Sequence, residues 1–226
     1  IDLDLQIACL DPDPEASCHT LTTQFTQGSF QDFDTVYAFG QECDIITIEI
    51  ENVNTEALQK LVDEGKDVFP QPHIIKMIQD KRLQKRFYKE KGIPTADFIL
   101  TEDKADVIRN AFFLPAVNKL GREGYDGRGV QILREKSDLE RAFEAPGLLE
   151  KLIDFEKEIA VIVAKNPNGE TKAFPVVECA FHPTANLVEF LFSPAQVSDD
   201  IEPCPTLVVG VSHQPRGMVG VGVLEH

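Results

Sequence analysis

The sequence predicts two parts of different class: an α/β layer over residues 1–72, then a mostly antiparallel α+β module over 73–202. Three observations predict this. Apolar, β-prone runs alternate with helical patterns in the first third, as in sheets whose crossovers are helices. The run "DIITIEIE" carries β-branched residues on both faces, which suits a parallel strand covered on both sides. From about residue 112 onward, short strands follow one another through turn signals with little helix between them. Residues 203–226 form a proline- and glycine-rich tail without clear periodicity.

Taken in order, Leu5 to Leu10 reads as a strand that "DPDPE" breaks. A short strand near "TQFTQG" follows. Phe33, Val36, Tyr37 and Phe39 give the next helix its apolar residues, and "DIITIEIE" is a strand. "NTEALQKLVDEG" is a helix with Asn54 as N-cap and Gly65 past its end. "DVFPQP" is another short strand. This strand–helix alternation makes the first part a Rossmann-like doubly wound layer. Residues 73–92 read as one helix with Ile75, Ile78, Leu83 and Phe87 on its apolar stripe and Gly92 as its stop. An extended segment "IPTADFIL", a helix in "EDKADVIRNAF", and strands "PAVNKL" and "VQIL" come next. "SDLERAFEA" is a helix with a capping box of Ser137 and Glu140. "LLEKLID", "EIAVIVAK", "TKAFPVVECAF" and "NLVEFLFSPA" are strands, with "NPNG" turning the hairpin between the second and third.

Composition excludes several classes. Of 226 residues, 42% are hydrophobic and 27% charged, as in a globular chain rather than a disordered one. No apolar run approaches membrane-spanning length and no signal peptide is evident. Five widely spaced cysteines without a CxxC pair read as reduced thiols of a cytoplasmic protein, not as a zinc site. A net charge of −16 argues against non-specific nucleic-acid binding. Both ends are expected to be truncated or altered, because the opening residues lead straight into a strand and the final "LEH" resembles the start of an expression tag.

Against that acidic background, "KLGREGYDGRGV" (119–130) gathers cations and glycines between two strands. Glycines let a backbone approach a ligand closely, and a loop of N–H groups can cradle a polyphosphate. Lys119, on the preceding strand, holds its ammonium rigidly beside that loop. A plain surface hairpin fits the spacing equally well. Glu150 and Glu158 sit on or beside strands, where a carboxylate accepts hydrogen bonds from sugar hydroxyls, although solvated strand acids are the simpler reading. Glu49 and Glu51 end an apolar strand on one face, at the edge where doubly wound sheets bind ligands. Lys81, Arg82 and Lys85 read as a solvated helical stripe. No nucleophilic triad and no HExxH zinc motif is present.

In this order, "LDPDPEAS", "CDIITIEIENV", "FPQP", "IQDKRLQKRFYKEKGIPTADF", "GYDGRGV", "LLEKLIDFEKEIAVIV" and "PVVE" resemble the N5-carboxyaminoimidazole ribonucleotide synthetases. These are ATP-grasp ligases of purine synthesis. The resemblance covers residues 5 to about 202. It implies a pre-ATP-grasp layer followed by an incomplete ATP-grasp domain with a small mobile lid, about 112–153. It implies carboxylation of 5-aminoimidazole ribonucleotide by bicarbonate and Mg-ATP, through carboxyphosphate, by a cytoplasmic homodimer. On the matching positions, Lys81 and Lys119 are ATP-binding cations. Gly124, Tyr125, Asp126, Gly127, Arg128, Gly129 and Val130 form the loop over the phosphates. Glu150, Lys151, Leu152 and Ile153 hold the adenine, and Glu158 the ribose. Lys119 and Arg128 are the catalytic cations, while Glu49, Tyr125 and Arg128 face the ribonucleotide. The family's glycine-rich opening turn and its magnesium-binding acids have no match here, so no residue is assigned to metal. A ligase activating another carboxylate, or a nucleotide binder without turnover, remains as the rival reading.

Overall fold

The structure, a computed structural model, describes residues 5–122, 129–165, 168–181, 188–197 and 220–225. The chain divides into two compact units, Ile1–Lys76 and Met77–His226.

In the first unit, strand β1 (Ala8–Asp11) pairs in parallel with β2 (Gln24–Gln27). Helix α1 (Phe33–Gln41) follows, and the Asp32 carboxylate caps it by accepting the Thr35 N–H at 2.8 Å. Strand β3 (Ile45–Thr47), helix α2 (Thr55–Asp63) and strand β4 (Asp67–Phe69) form a βαβ unit, β3 and β4 being parallel. Asn54 caps α2 by accepting the Ala57 N–H at 2.9 Å, and Gly65 turns away from it at φ +90°. Val36, Ile46, Leu58, Leu61, Val68 and Ile75 build the core. The α/β class is as expected.

Within this layer β1–β2 and β3–β4 are the two parallel ladders. One expectation fails: strand β3 ends at Thr47, so Glu49 and Glu51 lie in the bends after it and not on one strand face. The cause is local. The Val53 N–H bonds back to Glu51 O at 2.9 Å, and Asn54 is tied to Phe30 O and Gln31 O at 2.8 and 3.0 Å, which turns the chain early into α2.

At the junction of the units, the single helix expected over 73–92 is two helices, α3 (Pro72–Ile78) and α4 (Lys81–Lys91). Asp80, with extended backbone (φ −127°, ψ 104°), breaks it and caps the Arg82 N–H at 3.0 Å. Gly92 ends α4 in the left-handed region, as expected. The face that α4 buries is Gln84, Lys85 and Tyr88, not Leu83 and Phe87. Lys85 is therefore no solvated cation, and the reason appears below.

An antiparallel sheet in the order β5-β8-β6-β7 follows, from β5 (Phe98–Thr101), β6 (Ala116–Leu120), β7 (Val130–Leu133) and β8 (Gly147–Lys151). Helix α5 (Lys104–Arg109) and a 3₁₀ helix (Lys136–Arg141) pack with it around Val107, Ala116, Leu133, Leu139 and Leu149. That 3₁₀ turn replaces the Ser137-capped α-helix. Glu135 and Asp138 cap each other's backbone reciprocally, two residues earlier than the sequence suggested. In the second sheet, β9 (Glu158–Lys165) pairs antiparallel with β10 (Thr171–Ala173) and β11 (Val177–Phe181), and β12 (Val188–Phe192) lies beyond β11. The expected strand over 171–181 is thus two. Within the tail, Gly220–Glu225 is a strand, β13, parallel to β9.

Gly147 shows how closely β8 meets β6. A Cβ there lies 2.1 Å from Lys119 O. Gly147→Ala is expected to destabilise the second unit by about 1–3 kcal/mol by forcing these strands apart. A chemical denaturation midpoint equal to that of the parent chain contradicts this.

Candidate active site

Cross-strand register builds the site. Lys119 faces Leu148, and Glu150 faces both Val117 and Phe98. Directly paired residues share a sheet face, so Lys119 and Glu150 are diagonal neighbours on one face. Both are buried, each with 2% of its surface exposed. The Lys119 ammonium donates to Glu150 Oε2. From α4, the Lys85 ammonium donates to Glu150 Oε1 and to the Thr95 hydroxyl. It also lies 5.9 Å from the Tyr88 ring centre and 5.8 Å from that of Phe98.

Two ammonium groups thus share one carboxylate in a water-poor place. Burial, then the charges of Lys85 and Lys81, pulls Lys119 well below the usual lysine value. Burial pulls Lys85 down to about 8. Glu150 is the acid that each ammonium meets.

A second charged group lies at the mouth of the glycine segment. Asp80 binds Arg82 Nη2 at 2.9 Å and Arg122 Nε at 3.3 Å. Burial alone raises the Asp80 carboxyl, but the hydrogen bonds from Arg82 and Arg122 outweigh it and hold it below the usual carboxylate range. The Lys81 N–H donates to Gly121 O at 2.8 Å, and the Leu120 N–H to Gly129 O at 2.9 Å. The start of α4 is therefore fastened to the start of the loop, and the loop's two stems are fastened to each other. Gly129 and Val130 are buried at its exit. Gly124, Tyr125, Asp126, Gly127 and Arg128 lie outside the described residues.

The other sequence-derived residues are more scattered. Lys151 donates its side chain to Phe113 O at 3.1 Å, and its N–H to Asp97 O at 2.8 Å. The Leu152 N–H goes to Pro115 O at 3.3 Å, and Ile153 is exposed. Glu158 opens β9, opposite Cys179. In the first unit, Glu49 lines a cavity of about 660 Å³ whose wall also includes Cys9, Asp11, Ser17 and Thr47. The structure brings Lys119 and Glu150 together, with Lys81 near enough for its charge to act on Lys119. Lys85 and Thr95 are the additions. The signal for Lys85 was its place one turn after Lys81, on the same helix face.

Comparison with known proteins places these features in a class. Residues 1–79 match the ribonucleotide synthetase pre-ATP-grasp domain, and residues 86–225 match the ATP-grasp domain. The chain belongs to the ATP-grasp family. Within it, the chain is 32% identical over 191 residues to the N5-carboxyaminoimidazole ribonucleotide synthase of Synechococcus elongatus, a match covering 82% of this chain and 48% of that protein. The carboxyaminoimidazole ribonucleotide synthase of Aspergillus clavatus, solved with ATP, superposes with a TM-score of 0.79 at 29% identity, over 88% of this chain and 53% of that one. The N5-carboxyaminoimidazole synthase of the same organism, solved with ADP and 5-aminoimidazole ribonucleotide, gives 0.72 at 28% identity, over 84% and 51%. The chain spans about half the length of these three relatives.

Proposed function

We propose that this chain carries the nucleotide-binding part of an ATP-dependent ligase that carboxylates 5-aminoimidazole ribonucleotide with bicarbonate. The products are N5-carboxyaminoimidazole ribonucleotide, ADP and phosphate, by way of carboxyphosphate. The observation that carries this reading is the buried Lys119–Glu150 pair at the root of the glycine segment. A cation held in a dry site by a carboxylate is preorganised for a phosphoryl group, and phosphoryl transfer is catalysed mainly by such positioning and charge.

In this reading Lys119 and Lys81 meet the ATP phosphates, and residues 124–130 close over them within a lid spanning about 112–153. Glu150, Lys151, Leu152 and Ile153 receive the adenine, and Glu158 the ribose. Glu49, Tyr125 and Arg128 serve the aminoimidazole ribonucleotide. Closure of the loop also keeps water from carboxyphosphate. Among the described residues no three His, Cys, Asp or Glu side chains converge as a metal site. The Mg²⁺ of this reading arrives with the ATP. Small molecules are the partners, and a cytoplasmic homodimer is the expected assembly from the resemblance.

The test is ADP release from Mg-ATP and bicarbonate, with and without 5-aminoimidazole ribonucleotide. It is run on this chain and on one extended to the full length of its relatives. Ribonucleotide-dependent release from the extended protein supports the reading, and release indifferent to the ribonucleotide refutes the substrate. In the same assay Arg128→Ala is expected to raise the KM for the ribonucleotide and spare that for ATP. An equal rise in both contradicts its role.

A further inference from the structure

The Lys85–Glu150–Lys119 cluster holds two ammonium groups on one carboxylate, a ratio that a simple structural ion pair does not need. We propose that Lys85 is a positioning residue of the nucleotide site: it occupies one oxygen of Glu150, leaves the Lys119 end with uncompensated positive charge, and makes polyphosphate binding draw in a proton. The proposal rests on the nucleotide reading above and deepens it.

The geometry supports this. Lys85 is 7% exposed and reaches Glu150 from α4, while Lys119 reaches the other oxygen from β6. With Lys85 absent, Glu150 and Lys119 form a neutral pair, and a phosphate has less to attract it. With Lys85 present and charged, the trio has one excess positive charge, which a bound anion offsets. The groups facing Lys85 are Glu150 from β8, Thr95 from the segment before β5, the Phe98 ring from β5 and the Tyr88 ring from its own helix. Those facing Lys119 are Glu150 from β8 and the charges of Lys85 and Lys81 from α4.

The sign follows from burial. Burial depresses both lysines, Lys85 to about 8. A polyphosphate beside them favours the charged form and moves both upward. Near pH 8, binding therefore transfers protons from solvent to the amine nitrogens of Lys85 and Lys119, and nucleotide affinity falls as pH rises above that value.

The experiment is calorimetric titration of this chain with Mg-ADP at pH 8 in two buffers of different ionisation enthalpy, Hepes and Tris. The parent chain is expected to take up about half a proton or more per nucleotide. Lys85→Met is expected to bind about tenfold more weakly, with much less uptake. Thr95→Val keeps the charge and removes a hydroxyl that accepts from Lys85, so it is expected to move the midpoint of proton uptake to lower pH. This variant carries the test should Lys85→Met fail to fold. Binding by the parent chain without buffer dependence overturns the proposal alone, as does a Lys85→Met chain with unchanged affinity and uptake. Failure of the parent chain to bind any Mg-ADP overturns the nucleotide reading itself, and the proposal with it.

Discussion

Lys119→Met is expected to weaken Mg-ADP and Mg-ATP binding by about 100-fold or more, close to 2.7 kcal/mol, while leaving folding stability within about 1 kcal/mol of the parent. The asymmetry comes from the trio. A missing Lys119 leaves Glu150 still paired with Lys85, so no buried charge loses its partner. Methionine refills the stem volume in the sheet. What disappears is the ammonium beside the glycine loop. A calorimetric titration with a parallel denaturant melt checks both halves. Nucleotide affinity within threefold of the parent removes Lys119 from the binding role. A collapse in stability instead gives it a structural one.

Glu150→Gln is expected to do the reverse. It leaves two buried ammonium groups with no counter-charge, a loss of about 3–5 kcal/mol at pH 7. Here pH separates electrostatics from packing. The folded state holds its lysines at depressed values, so between those and the ordinary lysine value of 10.5 the unfolded chain binds more protons than the folded one. Stability contributed by these groups therefore rises with pH through that window. In the parent chain the window for Lys85 opens near 8. In the variant, with the carboxylate gone, it opens lower. The deficit relative to the parent should then shrink between pH 7 and pH 9.5, as the lysines lose their protons. A deficit identical at both pH values points to lost packing and sinks the account.

The fold was legible where local chemistry decides it. Asn54 and Gly65 bracket α2 as their side chain and backbone freedom require, and Gly92 stops α4 for the same reason. The residues at which the reading failed answer to distant partners. Asp80 lies mid-helix by pattern, but its carboxylate caps the Arg82 N–H and breaks the helix there, and Arg122, 42 positions on, adds a further bond to it. Lys85 has the sequence signature of a surface cation, and a partner 65 positions away makes it a buried one. No periodicity rule sees such a pair. Glu150 is the clearest instance: alone it reads as one more solvated acid on a strand, and two lysines from other elements are what make it worth burying.

The two charged groups at this site differ in their access to water, and ionic strength distinguishes them. Arg122 has 58% of its side chain exposed and sits at the loop mouth, where mobile ions reach it. The Lys119 ammonium, by contrast, is buried in the sheet. At about 0.15 M salt the Debye length is near 8 Å, so the outer arginine's pull on an approaching polyanion is largely screened, while the inner lysine's hold on a seated phosphate is not. Added salt should accordingly slow capture far more than it hastens escape. A nucleotide site organised this way keeps its occupant under conditions in which it has almost stopped attracting one.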